Sequence, residues 1–302
     1  MIEPVTESVD PRYAAIDTAS VAELAALMNA ADAEVPRAVH SALPQIVPAI
    51  EAVAVRMRAG GRLLYVGAGT PGRMGVLDAS ECPPTFGTPP ELVRGIIAGG
   101  DAAMFTAQEG VEDDEGAGRA AILAEEVGPA DSVLGLAASG RTPYVVAAVA
   151  EARTRGALTV GLSCNSGAVL SAAAEHAIEV LVGGEVLAGS TRLKAGTAQK
   201  LVLNMFSTIV MVQLGKTYGN LMVDLTVTNA KLRERAIRMV SRVTGASAGE
   251  AAAALEASGM RVKLAILRIE KGLDEEAALA ELASVGGRLR AVLEGAAMEG
   301  AP

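Results

Sequence analysis

Five short apolar runs alternate with stretches of helical character along the middle of the chain, and this alternation limits the possible folds more than any other feature. The runs are rich in branched aliphatic residues, and most are separated by segments with helical spacing of apolar positions. Strands joined through helices run parallel, with helices on both faces of their sheet. The pattern therefore predicts an α/β fold. The predicted strands are residues 63–66, 92–98, 132–138, 158–163 and 177–182.

Helical segments precede and follow the predicted sheet. Apolar positions at helical spacing predict one helix over residues 36–59. After residue 244, Ala-rich amphipathic segments are broken at Gly259, Gly272 and Gly286, which predicts a small bundle of three or four helices. The predicted domains are an N-terminal helical arm (1–35) that packs on something else, an α/β domain (36–228) and a C-terminal helical region (229–302).

The composition predicts a globular chain with a sizeable core. Of the 302 residues, 51% are hydrophobic and 20% are charged, and the net charge of −9 gives no overall attraction for nucleic acid or an anionic membrane. The most apolar run, residues 201–214, includes polar residues and is shorter than a membrane span, so it predicts a helix buried in a core or subunit interface. The acidic start lacks an export-signal pattern, and we expect a cytoplasmic protein.

Two loops rich in glycine and hydroxyl groups follow the first and third predicted strands. Residues 67–72 read GAGTPG, and residues 139–142 read SGRT before Pro143, which is a helix start signal. The N-terminus of a helix binds anions through free N–H groups and the positive end of its dipole. Since parallel strands end at the same edge of a sheet, the two loops predict a phosphate site there. The candidate cations in or near such glycine- and hydroxyl-rich stretches are Arg73, Arg141, Arg192, Lys194 and Lys200. Alternatively, Ser139 and Thr142 only cap the second helix.

The glycine spacing in the first loop also occurs in dinucleotide-binding units. Such units place an acidic ribose ligand about 20 residues further on, at the end of the second strand. That strand ends in Ile-Ile-Ala-Gly-Gly, and Asp101 is the nearest acidic residue. The second loop would also be superfluous for a dinucleotide, so this interpretation is disfavoured.

Pro83 and Pro84 are expected to stop the helix that begins near Gly72. Glu81 would then lie at the helix end beside an apolar corner, where its carboxyl pKa could be raised enough for a proton donor. A solvated carboxylate at a helix end is the alternative.

An acidic cluster at residues 109–115 is typical of a solvated helix start capped by Asp113 or Asp114. Crowded carboxylates raise one another's pKa, but the pattern alone does not single out Glu112.

Metal chemistry is not indicated. The chain has two cysteines and two histidines, without the spacing of a zinc site. We expect no metal or cofactor and assign no role to the histidines.

Longer motifs carry a resemblance to a known family. They are TESVDPRY, MNAADAEVPRAV, GAGTPGRMGVLDASECPPTFG, IIAGGDAA, EGVEDD, AASGRTPYV, STRLKAGTAQKLVLNM and GNLMVDLTVTN, and they cover residues 6 to about 245. The chain resembles the N-acetylmuramic acid 6-phosphate etherases, which belong to the sugar isomerase (SIS) superfamily. DASECPP, SGRTPYV and RLKAGTAQK are the specific motifs.

The resemblance implies an SIS-type α-β-α sandwich and a cofactor-free homodimer that cleaves the lactyl ether of a sugar phosphate during amino-sugar recycling. It implies that Glu81 of DASECPP is the proton donor and that Glu112 is a second catalytic residue. The candidate phosphate- and substrate-binding residues in the matching motifs are Gly69, Thr70, Ser80, Ser139, Gly140, Arg141, Thr142 and Lys194.

One residue departs from the family pattern. The family's first loop carries Ser after the Thr, whereas this chain has Pro71, which lacks both a hydroxyl and a backbone N–H. We expect weaker phosphate binding or an altered substrate preference. The alternative functions are an aldose–ketose isomerase on the same fold and a non-enzymatic sugar-phosphate sensor similar to glucokinase regulatory protein. No basic helix-turn-helix precedes the domain, which disfavours a DNA-binding regulator.

Overall fold

The computed structural model describes residues 4–295. Five parallel strands form a sheet in the order β2-β1-β3-β4-β5. β1, β3 and β4 are buried along their whole length, as expected of apolar strands covered on both faces. The α/β prediction is confirmed, and predicted strand ends differ from the observed ones by up to three residues. The strands are β1 Leu63–Gly67, β2 Val93–Ile97, β3 Ser132–Leu136, β4 Leu158–Ser163 and β5 His176–Glu179.

Helices cover both faces of this sheet. Leu64 and Val66 of β1 point to one face and share a core with helices Glu115–Ala124, Pro143–Thr154 and Val169–Ala173. Tyr65 points to the opposite face, against Gly75 of another helix. The helices up to residue 213 are Val21–Asp32, Val35–Ser41, Leu43–Arg58, Gly69–Phe86, Ala102–Phe105, Glu115–Ala124, Pro143–Thr154, Val169–Ala173 and Lys194–Gln213.

The chain forms two compact units. The first, which contains the sheet, consists of residues 1–80 and 91–207, and the second of residues 81–90 and 208–302. The second unit has its own apolar core, which includes Val240, Leu255, Leu264 and Leu289. The predicted C-terminal helical bundle is confirmed. The helices from residue 230 onward are Ala230–Thr244, Ala248–Ala257, Val262–Lys271, Glu275–Ser284 and Leu289–Glu294. The predicted domain boundaries at residues 35 and 228 stay a prediction.

The single helix expected over residues 36–59 is wrong in one respect. The structure has two helices there, Val35–Ser41 and Leu43–Arg58. Pro44 lies in the first turn of the second helix. A proline ring in the middle of a continuous helix would clash with the carbonyl four residues back and remove a hydrogen bond. With the break at Ala42, Pro44 stands in a first turn, where its missing N–H has no intrahelical partner, although Pro48 is accommodated inside the same helix.

The expected helix stop at Pro83 and Pro84 is also wrong. Helix Gly69–Phe86 contains both prolines. They lack N–H groups, but their restricted φ is compatible with a helix. The helix ends instead at Gly87, whose N–H bonds to the carbonyl of Pro83 at 3.0 Å and whose φ is +60°.

Within the described residues, no single helix is both long enough and apolar enough to cross a membrane. One bent pair of segments, Val21–Ser41 with Leu43–Arg58, meets the criteria of length and composition together.

Candidate active site

β1 passes almost directly into helix Gly69–Phe86 because two glycines allow the strand end and the first helical turn to touch. A Cβ on Gly67 would lie 2.6 Å from the nitrogen of Gly72, and a Cβ on Gly72 would lie 2.8 Å from the carbonyl oxygen of Gly67. The helix thus begins at Gly69, earlier than the predicted start near Gly72. Gly69 and Thr70 lie in its first turn, where amide groups have no intrahelical carbonyl to bond.

Pro71 occupies the same first turn. Proline is tolerated there because the N–H that it lacks would have no intrahelical partner. Pro71 is buried and lines the cavity described below. An anion at this helix end therefore meets no amide donor at position 71.

The second loop joins β3 to helix Pro143–Thr154. Gly140 has φ +67°, and a Cβ there would lie 2.4 Å from the Cβ of Ala168, so the turn requires glycine. The hydroxyl of Ser139 accepts a hydrogen bond from the N–H of Arg141 at 3.2 Å. Thr142 is the N-cap residue, but its side chain makes no capping hydrogen bond. The capping interpretation thus does not hold for Thr142, which lines the cavity instead.

The two loops open into one cavity of about 460 Å³ in the first unit. Of the predicted site residues, it brings together Gly69, Thr70, Ser139, Arg141, Thr142 and Glu112. Three carboxylates and one guanidinium lie along its wall, beside the two helix N-termini. The lining residues are Glu7, Ala68, Gly69, Thr70, Pro71, Glu112, Asp113, Ala138, Ser139, Arg141, Thr142, Pro143 and Thr191.

Glu112 reaches this cavity from a short 3-10 turn, Val111–Asp113. Its side chain is exposed, as is that of Asp113. The capping role expected somewhere in the acidic cluster belongs to Asp114, whose carboxylate accepts the N–H of Ala117 at 2.8 Å. Neither Glu112 nor Asp113 is needed for that cap, and both residues line the cavity.

Other predicted residues lie outside the cavity lining. Gly140 allows the turn of the second loop without lining the cavity. The hydroxyl of Ser80 donates to the carbonyl of Leu77 at 2.8 Å. Glu81 is exposed, although the neighbouring Cys82 is buried, so the chain itself does not enclose Glu81 in an apolar corner. Glu81 belongs to the second unit. Their roles stay predictions.

Lys194 is buried, with 1% of its surface exposed. Its ammonium lies 3.7 Å from a carboxylate oxygen of Glu34 and 6.0 Å from the ring centroid of Tyr13. Among the described residues, the ammonium nitrogen of Lys194 has no hydrogen-bond partner. A hydrogen bond from Arg12 lowers the pKa of Glu34, which keeps that carboxyl charged beside the lysine. The role of Lys194 in substrate binding stays a prediction.

Glu185, which is 1% exposed, belongs to no pattern that the sequence analysis could use. Its carboxylate accepts the N–H groups of Lys194 and Ala195, each at 2.9 Å. A carboxylate at a helix N-terminus satisfies free amide groups and interacts favourably with the dipole. Glu185 therefore fixes the start of helix Lys194–Gln213.

The parallel sheet flanked by helices, with two hydroxyl-bearing helix starts at one edge, is an α/β fold of the SIS type. The family model of the SIS domain matches residues 115–209, and models of the N-terminal SIS domain and the C-terminal lid domain of glucokinase regulatory protein match residues 45–153 and 219–265. The solved structure of a phosphoheptose isomerase from Francisella tularensis has the same fold. It matches with a TM-score of 0.51 at 21% identity, covering 65% of this chain and all of that one.

Relatives that match nearly the whole chain show which family within the SIS class it belongs to. N-acetylmuramic acid 6-phosphate etherases from Streptomyces avermitilis and Rubrobacter xylanophilus are 56% and 57% identical to this chain over 291 residues. These matches cover 96% of this chain and 94% and 96% of the relatives. The enzyme of that name from Serratia proteamaculans is 50% identical, covering 96% of this chain and 97% of the relative. The chain belongs to the N-acetylmuramic acid 6-phosphate etherase family.

Proposed function

We propose that this protein is a carbon–oxygen lyase that cleaves the D-lactyl ether of N-acetylmuramic acid 6-phosphate. The products are D-lactate and N-acetylglucosamine 6-phosphate, and the reaction serves cytoplasmic recycling of cell-wall amino sugars. The observation that carries the proposal is the cavity itself, where two helix N-termini meet the carboxylate of Glu112. An anion site beside a carboxylate suits a phosphosugar whose carbon atoms undergo proton transfer.

The phosphate binds where the two helices begin. The amides of Gly69 and Thr70 and the hydroxyls of Thr70, Ser139 and Thr142 donate hydrogen bonds to it, and Arg141 supplies the positive charge. Within residues 4–295, Arg141 forms no ion pair, so its guanidinium is not neutralised by a neighbouring carboxylate. Ser80 and Lys194 complete the proposed substrate-binding set, and Gly140 allows the turn.

The chemistry is an elimination followed by a hydration. An ether oxygen is a poor leaving group unless it lies β to a carbonyl, and the ring-opened sugar has an aldehyde at C1 that acidifies the C2 hydrogen. One carboxylate removes the C2 proton while a protonated carboxyl gives its proton to the lactate oxygen, so the C3–O bond breaks and a C2–C3 double bond forms. Addition of water across that bond gives the N-acetylglucosamine product.

We assign the proton-donating carboxyl to Glu81 and the second role to Glu112. Support for Glu81 comes from its position in the DASECPP motif, and support for Glu112 comes from its motif and from its place in the cavity wall.

The decisive experiment supplies the purified protein with N-acetylmuramic acid 6-phosphate and measures D-lactate enzymatically. We expect one D-lactate for each N-acetylglucosamine 6-phosphate formed. A parallel incubation with N-acetylglucosamine 6-phosphate tests for an aldose–ketose interconversion. Binding of either sugar phosphate without any lactate would overturn the lyase proposal in favour of a sensor.

The active protein is proposed to be a homodimer. Ile209 and Val212 of helix Lys194–Gln213 are 41% and 44% exposed, which leaves apolar surface for a second copy. Light scattering after size-exclusion chromatography should give twice the mass of 30.6 kDa. A monomeric mass at micromolar concentration would contradict the dimer and leave the lyase proposal standing.

A further inference from the structure

The N-terminal arm reaches the cavity through Glu7, a residue that the motif-based assignment does not use. A 3-10 turn, Val5–Glu7, places Thr6 inside the protein and Glu7 on the cavity wall. Thr6 has no exposed surface. Its N–H donates to the side-chain oxygen of Asn165 at 3.2 Å, and the side-chain amide of Asn165 donates back to the hydroxyl of Thr6 at 2.9 Å. The arm is therefore fixed by reciprocal hydrogen bonds across 159 residues of sequence.

The side chain of Asn165 also contacts the backbone of the second loop, residues 139–142. Its side-chain nitrogen lies 3.2 Å from the carbonyl oxygen of Ala138 and 3.4 Å from that of Ser139. The hydroxyl of Ser163 donates to the backbone carbonyl of Asn165 at 2.9 Å, which anchors this connection to the end of β4. The buried side chain of Asn165 thus fixes the position of Glu7 relative to the second loop.

The Glu7 carboxylate has space around it in the cavity wall. A Cβ on Gly189 would lie 3.1 Å from one of its oxygens, so the absence of a side chain at Gly189 leaves room for it. Within residues 4–295, no cationic side chain forms an ion pair with Glu7. A carboxylate repels a phosphate, but it is a strong acceptor for neutral O–H and N–H donors.

We infer that Glu7 binds the sugar, by accepting a hydrogen bond from a hydroxyl or the amide N–H of the phosphosugar, and that Thr6 and Asn165 position it. The inference rests on the proposed function, because the phosphate at the two helix starts directs the sugar toward the carboxylate wall. The N-terminal arm is then part of the substrate site.

The test compares Glu7→Ala and Glu7→Gln with Asp17→Asn, an exposed acid of the same arm outside the cavity lining. N-acetylglucosamine 6-phosphate and inorganic phosphate are each used as inhibitors of D-lactate release, and their inhibition constants are measured. Loss of a charge-assisted hydrogen bond in Glu7→Ala should weaken sugar-phosphate binding by about tenfold or more. Glu7→Gln, which keeps an acceptor oxygen, should lose less. Inorganic phosphate should bind as well as before or more tightly, because a negative charge has been removed.

Unchanged sugar-phosphate binding in Glu7→Ala would overturn the inference. Equal weakening of both ligands would also overturn it, since Glu7 would then act on the phosphate loop. Thr6→Val should reproduce the selective loss of sugar binding, and Thr6→Ser, which keeps the hydroxyl, should restore it. Direct calorimetric binding of N-acetylglucosamine 6-phosphate needs no turnover. A wild-type protein that releases no lactate would therefore refute the lyase function, while the Glu7 comparison still decides the inference.

Discussion

Pro71 lacks both a hydroxyl and a backbone N–H at the point where the first loop lines the cavity. Pro71→Ser adds an N–H at the helix start and a hydroxyl beside the cavity. With a doubly charged phosphate as acceptor, we expect KM for N-acetylmuramic acid 6-phosphate to fall about tenfold, with kcat little changed. Steady-state kinetics measure the change. Pro71→Ala restores the N–H alone and separates the two contributions. A KM unchanged in both variants would show that the phosphate does not contact position 71.

Glu81 and Glu112 are expected to act by proton transfer, which an amide cannot perform. Glu81→Gln and Glu112→Gln keep the shape of each side chain, so kcat should fall by about 100-fold or more while KM changes little. Lactate release under saturating substrate measures the effect. Glu109→Gln is the matched control, because Glu109 is exposed in the same acidic segment and lies outside the cavity lining. Near wild-type lactate release by either catalytic variant would remove that residue from the mechanism.

Much of the cavity wall could be predicted from local sequence. Thr70 and Ser139 follow neighbouring parallel strands, so their meeting follows from the topology. Glu7 and Thr191 could not be predicted in this way, because their places depend on distant contacts such as the one between Thr6 and Asn165. Local patterns contain no information about such pairs.

At the scale of elements, the errors in the sequence analysis concern proline. The prediction treated Pro83 and Pro84 as a stop, whereas the helix includes both, and it missed the break at Ala42 that precedes Pro44. Proline removes a hydrogen bond from the interior of a helix but none from its first turn, so its cost depends on where in the helix it stands. Pro83 and Pro84 deprive the carbonyls of Ala79 and Ser80 of their usual helical donors. Thr226 supports the last turn in another way: its hydroxyl donates to the carbonyl of Pro83 at 3.3 Å and its N–H to that of Pro84 at 3.4 Å.

Helix Gly69–Phe86 ends at Gly87, and replacing this glycine should destabilise the protein. A Cβ at Gly87 would lie 2.3 Å from the carbonyl oxygen of Asp224, and its φ of +60° disfavours other residues. Gly87→Ala should lower the free energy of unfolding by about 1–3 kcal/mol, measured by urea denaturation. Gly249→Ala is the control, because Gly249 lies inside helix Ala248–Ala257 and a Cβ added there would meet no atom within 4 Å. Because Gly249 is only the second residue of that helix, the free energy of unfolding should rise by at most about 0.5–1 kcal/mol. Equal stability of Gly87→Ala and wild type would contradict the crowding argument.

At the scale of the molecule, the parallel sheet and the C-terminal bundle follow from periodicity and glycine breaks, but the division into compact units does not. Residues 81–90 belong with the C-terminal part of the chain, although more than a hundred residues separate them in sequence. Contacts such as that between Gly87 and Asp224 produce this grouping. A linear pattern of apolar positions records which residues are buried, and it does not record which distant segment buries them.

Each unit contains one buried cysteine, so thiol labelling can measure the opening of each unit separately. Cys164 lies in the first unit with no exposed surface, and Cys82 lies in the second with 2% exposed. Burial, with a smaller effect of the Glu185 charge, raises the pKa of the Cys164 thiol to about 12. Because the thiolate is the reactive form, neither burial nor this pKa favours reaction at pH 8. We expect no rapid labelling of either thiol in the native protein by an aromatic disulfide reagent.

Labelling should become complete when the protein unfolds, and single variants assign it. In Cys82→Ala the remaining thiol reports on the first unit, and in Cys164→Ala it reports on the second. Near pH 9 and above, the unfolded Cys164 thiol loses its proton while the folded one keeps it, so stability should fall as pH rises through that range. Cys164→Ala should remove this part of the pH dependence. Rapid labelling of Cys164 in the absence of denaturant, at the rate of a free thiol, would show that the core around β4 opens far more readily than its burial implies.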